Sequence, residues 1–282
     1  MRTERFDFPN AHGHLLTAVL HHPAGDPRDF ALFAHCFTCS KDSRAARWIA
    51  ESLAARGIAV VRFDFTGLGS SEGDFANTDF SSNVSDLVAA ADHLRTTHRA
   101  PTLLVGHSLG GAAVLAATSR IPEARAVATI GAPSDPSHVA NFFGAAINVI
   151  QTRGESEVEL GGRTFRIRRD FLDDIAEQRL LDQVQTLDKP LLILHAPTDQ
   201  IVGIDNAATI FAAARHPKSF IALDDADHLL SRRRDARYTG EVIAAWSQPY
   251  IASAAKPGRG TALSPVGPPG SPPTPPPAAT PS

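Results

Sequence analysis

Short apolar runs recur along this chain, separated for the most part by longer amphipathic stretches, and that alternation leaves few architectures open. Strands are expected at Phe6–Phe8, Leu15–His21, Ala31–Ala34, Ala59–Phe65, Thr102–Gly106, Ala126–Ile130, Leu191–His195 and Ser219–Leu223. Helices are expected at Ser43–Arg56, Asn83–His98, Gly111–Ile121, Asn206–Arg215 and Arg234–Ile251. A strand, a helix and a second strand make a parallel pair with the helix over one face, so the repeated unit gives a parallel sheet covered on both faces. No helix separates the first two strands, which are expected to form an antiparallel hairpin at the sheet edge. The expected fold is therefore α/β, with a mostly parallel eight-stranded sheet.

The 282 residues, 43% of them hydrophobic, can bury one main core. A net charge of -3 gives no electrostatic reason to expect nucleic acid or an anionic membrane as partner, and a small-molecule substrate fits better. Neither the opening Met1 to Pro9 nor any later stretch has the apolar length of a leader or a bilayer span, so a soluble cytoplasmic protein is expected. The two cysteines, Cys36 and Cys39, supply no disulfide framework and are compatible with a reducing compartment. Residues 1–252 read as one folded domain. Residues 253–282, rich in Pro, Gly, Ser and Thr, read as a disordered tail or linker, and their P-x-x-P spacings lack the basic cluster of a dedicated SH3-type ligand.

The alternation fails once, between Ala132 and Asp188, where an insertion expected to be a lid (134–188) occupies the place of one helix. It holds an apolar helical stretch at Val139–Ile150, a hairpin-like alternation at Val158–Ile167 around Gly161-Gly162, and an amphipathic helix at Asp170–Val184. Phe142 and Phe143 are the residues expected to reach a substrate pocket; for most other apolar residues of the insertion, packing onto the body is an equal explanation. Arg163, Arg166, Arg168 and Arg169 could recognise an acidic group, but a solvated face explains them better.

Between the apolar run Thr102–Val105 and the helical stretch from Gly111 stands Gly106-His107-Ser108-Leu109-Gly110, the pattern of a nucleophile elbow. A serine in such a turn has strained backbone angles, and side chains at Gly106 or Gly110 would crowd it. A hydroxyl is a weak nucleophile until a base takes its proton and an acid orients that base. Asp199 and His228 each follow a strand-like run and so fall at the same sheet edge as Ser108, in the order serine, acid, histidine. Ser108, Asp199 and His228 are the expected catalytic residues. Among rivals, Asp205 reads as a helix N-cap, Asp224, Asp225 or Asp227 as a supporting partner at most, His107 as a packing residue and His195 as a hydrogen-bonded core histidine. His12, His14, His21 and His22 are not expected to bind metal; no metal and no cofactor are expected.

Acyl transfer also needs donors for the oxyanion, each worth about a hundredfold or more in rate. The Leu109 amide is one candidate. The other is expected from the loop after the strand ending at His35, with Phe37 first and Cys36 next, although Cys36 stands where glycine is usual. Cys36 and Cys39 themselves read as small residues shaping that loop, with a redox-sensitive gate as the alternative. The stretch Asp64 to Gly73 lacks the lysine and spacing of a phosphate loop, so its glycines are read as turn residues.

Taken together, His35-Cys-Phe37, Asp64-x-x-Gly67-x-Gly69-x-Ser71, Gly106-His-Ser108-Leu-Gly110-Gly111, Asp199-Gln-Ile-Val202 and Asp227-His228 resemble the α/β-hydrolase superfamily over roughly residues 5–252. The resemblance implies the α/β-hydrolase fold with a small lid insertion. The string His35 to Asp42, with Ser81 to Val84 and Val202 to Asn206, is similar to the hydrolase half of bacterial proteins that fuse an α/β hydrolase to an OsmC-type domain. No residues of that second domain can be carried over to this sequence. The expected activity is cleavage of a small-molecule carboxylic ester, or a thioester or small amide, through an acyl-enzyme. An acyltransferase or perhydrolase using the same residues, and a non-catalytic binding module on the same fold, are the alternatives; the serine at position 108 disfavours a dehalogenase, which wants a carboxylate there.

Overall fold

The computed structural model describes residues 2–37 and 39–252; the expected tail at 253–282 lies outside them. β1 (Thr3–Pro9) and β2 (Leu15–His21) form the expected antiparallel hairpin. There follow β3 (Asp29–Ala34), α1 (Arg44–Ala55), β4 (Ile58–Phe63), α2 (Phe80–Thr97), β5 (Leu103–His107), α3 (Leu109–Ala117) and β6 (Ala126–Ile130). The insertion contributes a 3-10 segment (Pro136–Phe143), α4 (Ala146–Arg153), β7 (Glu155–Leu160), β8 (Arg163–Arg168), α5 (Arg169–Glu177) and α6 (Leu180–Thr186). β9 (Leu191–His195), α7 (Asp205–Ala213), β10 (Lys218–Ala222) and α8 (Arg233–Ile251) complete the body. The main sheet has the order β1-β2-β4-β3-β5-β6-β9-β10, parallel except where β2 meets β1 and β4.

The inner strands read as unbroken apolar runs because both of their faces are covered. Along β3, Phe30, Leu32 and Ala34 enter one core while Ala31 and Phe33 enter the other, as the two-residue period of a strand requires. α1 and α8 cover the second face. There Gly240 of α8 lets the helices approach, since a Cβ would fall 2.7 Å from the Ser52 Cβ. α2, α3 and α7 cover the first face and share its core with the insertion. Each fully buried Leu, Ile, Val or Phe adds about 1.5–3 kcal/mol to this packing.

Helix starts follow their caps. Ser43 accepts from the Ala46 amide at the head of α1. Asp79 and Ser82 cap α2 reciprocally, so it begins at Phe80 rather than at the expected Asn83. Two expectations for the insertion are corrected. The single helix at Val139–Ile150 is a 3-10 segment and α4, broken where Gly144 takes φ +51°. The single helix at Asp170–Val184 is α5 and α6, parted at Gln178 and Arg179. The hairpin stands as expected: Gly161 and Gly162 take positive φ and Leu160 pairs with Arg163 across the turn.

The insertion is seated on the body by aromatic rings. Phe37 lies 5.3 Å from Phe75 and 5.2 Å from Phe171 between centroids, and Phe75 lies 4.9 Å from Phe165. Asp174 of α5 also accepts from the Ser81 amide at 3.0 Å. No helix among the described residues is long and apolar enough to cross a membrane.

Candidate active site

β5 ends at His107 and α3 begins at Leu109, leaving Ser108 alone in the turn. Its φ of 55° and ψ of -128° lie outside the region that L residues favour, a strain of about 1–3 kcal/mol that the surrounding packing must hold. The packing is tight. A Cβ on Gly106 would fall 2.2 Å from the Gly110 carbonyl oxygen, and one on Gly110 would fall 2.4 Å from that of His35. The Ser108 amide donates to Ile130 O at 2.8 Å, which fixes the turn to the end of β6.

Asp199 and His228 lie in the loops after β9 and β10, at the same C-terminal sheet edge where open α/β sheets place their sites. Asp199 Oδ2 is 2.7 Å from His228 Nδ1, and His228 Nε2 is 3.0 Å from Ser108 Oγ. Asp199 Oδ1 also accepts from the amides of Ile201 and Val202 at 2.9 and 3.0 Å. Burial pushes the Asp199 carboxyl up, but the His228 hydrogen bond and these amides together outweigh it and hold the group below the usual carboxylate range. An ionised Asp199 can only accept, so His228 Nδ1 carries the proton and Nε2 presents a lone pair to the Ser108 hydroxyl. Gly131, with φ +54°, runs beneath this pair, and a Cβ there would sit 3.3 Å from His228 Nδ1. The sequence reading did not single out Gly131; the turn after the apolar run of β6 is its only sequence signal.

The rival carboxylates are engaged elsewhere. Asp227 accepts from the Ser231 amide and hydroxyl, turning it away from the His228 ring. Asp205 is corrected from N-cap to the first residue of α7, which has no side-chain cap. The neighbouring Asn206 instead accepts from the amide and hydroxyl of Ser134 at 2.9 and 3.0 Å, joining the head of α7 to the start of the insertion. His195, fully buried, donates from Nε2 to Val202 O at 2.7 Å, as expected of a core histidine. His107 does more than pack. Its Nε2 donates to the His228 carbonyl at 2.7 Å, and burial, aided by the charge of His228, pulls its pKa to about 4.

Ser108, His228, Leu109 and Phe37 line one cavity of about 360 Å³. Leu109 heads α3, where the first amides have no carbonyl of their own helix to bond. Phe142 lines the cavity beside Val139, Ile201 and Leu229. Phe143 is corrected: it is 3% exposed and packs with Phe37 and Phe171, behind the wall rather than in it. Cys36, also in the lining, is disulfide-bonded to Cys39, so the pair does more than shape the loop as two small residues. The bridge closes a single turn and connects no two elements.

That loop is anchored from below. Lys41, 2% exposed, donates from its amide and its Nζ to the fully buried Asp64 carboxylate, both at 2.6 Å. Ser70 N donates to the same group at 2.9 Å, and a Cβ on Gly69 would collide with it. The four arginines between positions 163 and 169 lie outside the cavity lining: Arg166 is held by Asp74, Arg168 by Glu155 and Asn77, Arg169 by the Gln151 carbonyl, and Arg163 over the Phe165 ring.

Known proteins share this fold. An esterase domain from a Rhodothermus marinus protein is 51% identical in a structural match that covers 89% of this chain and all of that one, with a TM-score of 0.75. Est1E from Butyrivibrio proteoclasticus, solved with ferulic acid bound, shares the fold at 20% identity and a TM-score of 0.72, over 87% of this chain and 99% of that one. Among curated relatives, the rat mitochondrial palmitoyl-protein thioesterase ABHD10 is 27% identical over 61% of this chain. The uncharacterized protein YfhR of Salmonella typhi is 28% identical over 66% of it. The alignments span 59% and 60% of those two relatives' own lengths. The model of the alpha/beta hydrolase family matches residues 18–242, which takes in the elbow, the strand-end aspartate and histidine and the whole insertion, and to that family the chain belongs.

Proposed function

We propose that this protein is a serine hydrolase that cleaves carboxylic esters through an acyl-enzyme on Ser108, with residues 1–252 as the hydrolase domain and 134–188 as its lid. The observation that carries the reading is the continuous line from Asp199 Oδ2 through His228 to Ser108 Oγ, at 2.7 and 3.0 Å. His228 Nε2 takes the hydroxyl proton as Oγ attacks the carbonyl carbon, and Asp199 stabilises the imidazolium that results. The oxyanion is held by the Leu109 and Phe37 amides. His228 then protonates the departing alcohol, takes a proton from water, and the hydroxide formed attacks the acyl-enzyme; Ser108 leaves as the free hydroxyl and the acyl group as the acid.

The name of the Rhodothermus esterase domain supports an ester as substrate, and those of the ABHD10 relatives support a thioester as the second class. The loop string His35 to Asp42 supports a kinship with hydrolases that are parts of larger fusions, as the Rhodothermus protein is described by its domain.

Ser108→Ala tests the reading. It is expected to lower hydrolysis of short acyl esters by at least about a thousandfold, the scale of losing the nucleophile, without lowering thermal stability. A fluorophosphonate is expected to label the wild-type serine. Unchanged hydrolysis in the variant would overturn the assignment, and a folded wild-type protein left unlabelled would favour a binding module.

A further inference from the structure

The 3-10 segment Pro136–Phe143 brings Val139 and Phe142 into the cavity lining, and the loop after β9 brings Ile201 and Val202, just beyond Asp199. One hydrogen bond joins the two: His138, which also lines the cavity, donates from Nε2 to Ile201 O at 2.8 Å. The Ile201 carbonyl and the Val202 N–H belong to a single planar peptide group, and that N–H donates to Asp199 Oδ1 at 3.0 Å. His138, the peptide and the Asp199 carboxylate therefore stand in line, each donating to the next. In such a chain a donor at the carbonyl end polarises the peptide and makes the N–H at its other end a better donor. The segment itself holds His138 in place. Asp135 accepts from the Ser137 amide at 2.8 Å, and Ser134 donates from its amide and hydroxyl to Asn206 Oδ1, so the residues just before His138 are already fixed to the head of α7. The His138 ring then stands edge-on to Phe142, 5.7 Å between centroids. One side chain thus meets both the loop of the acid and the apolar lining.

We propose that His138 is a positioning residue that ties the insertion to the catalytic acid: its N–H holds the Ile201–Val202 peptide against Asp199, and its ring backs Phe142 in the cavity lining. This rests on the hydrolase reading, in which Asp199 serves His228 in both acylation and deacylation. The two contacts act on different quantities. The hydrogen bond bears on Asp199, and so on an imidazolium that exists only while bonds are changing; its loss lowers kcat and kcat/KM together. The ring bears on the apolar surface that substrate meets before any bond changes, so its loss raises KM. Because the donor comes from the insertion and the peptide from the body, the Val202 amide serves Asp199 at full strength only when the insertion is seated.

Two substitutions separate the contacts, measured on the full protein with p-nitrophenyl hexanoate. His138→Phe keeps a ring beside Phe142 and removes the donor; kcat is expected to fall about fivefold, the scale of one hydrogen bond, with KM within about twofold. His138→Gln keeps an N–H at similar reach and removes the ring; kcat is expected to stay within about twofold while KM rises about threefold. In an Asp199→Ala background, where the acceptor is gone, His138→Phe is expected to change kcat by less than about twofold. A purely structural role would move both variants alike and persist in that background. Unchanged kcat in His138→Phe, an equal loss of kcat in His138→Gln, or the full loss in Asp199→Ala protein would each overturn the inference while leaving the hydrolase reading intact. Failure of wild-type protein to cleave the hexanoate in a Ser108-dependent way would overturn both.

Discussion

A base that must be neutral before it can take a proton is itself steadied by a second neutral histidine, since His107 donates to the backbone carbonyl of His228. Burial holds His107 at a pKa of about 4, and burial together with the Arg62 charge holds His21 at about 4, where it accepts from the Arg62 guanidinium. In the unfolded chain both would titrate near the ordinary histidine value of about 6.5. Between these limits the unfolded state binds protons that the folded state refuses, so stability is lost as pH falls from about 6.5 towards 4, by up to about 1.4 kcal/mol per pH unit for each group. Thermal melts at pH 7 and pH 5 are expected to show the lower melting point at pH 5, with a shallower dependence in His107→Gln. A flat profile would contradict the burial of both rings. Ser108, Asp199 and His228 were legible because each follows an apolar run that ends at the same sheet edge. The role of His107 was not, because its partner is a backbone carbonyl 121 positions away, which no residue type announces.

Among the elements, the loop from His35 to Asp42 depends most on a partner that the sequence hides. Lysine is seldom buried, so nothing in the string marks Lys41 as the group that fixes the loop to Asp64. Asp64→Asn would leave that buried ammonium with only the exposed Asp42 carboxylate, at 3.5 Å, as counter-charge, at a cost of about 3–5 kcal/mol. For a domain of this size the melting temperature is expected to fall by roughly 10 °C, measured by thermal denaturation. A loss of only a degree or two would mean that the Phe37 turn is held by other contacts. The strands were legible to within a few residues, because a chain covered on both faces must be apolar throughout. The insertion was less so. Its apolar period survives across Gly144 and across Gln178-Arg179, but the backbone turns at both places so that Leu180 and Val184 of α6 reach the shared core.

For the molecule as a whole, one sheet separates a core that includes the insertion from a core that does not. The cavity lies beyond the C-terminal ends of β3 and β5, while the last turn of α8 lies at the sheet's other edge. There Ile251 and Ala252 border the same depression as Asp29 and Ile58, the first residues of β3 and β4. The six residues of β3 put about 20 Å between the two edges. Protein coupled to a bead through a cysteine placed at Ala252 is therefore expected to keep its kcat/KM for p-nitrophenyl hexanoate within about twofold of the free value, a distance at which a tether cannot crowd the acyl group. A tenfold loss on coupling would place the end of α8 closer to the mouth than the sheet allows. Ala252 thus offers a handle: a film of this protein anchored there would turn every cavity towards the liquid, an orientation that a support coupled through random surface lysines would lose.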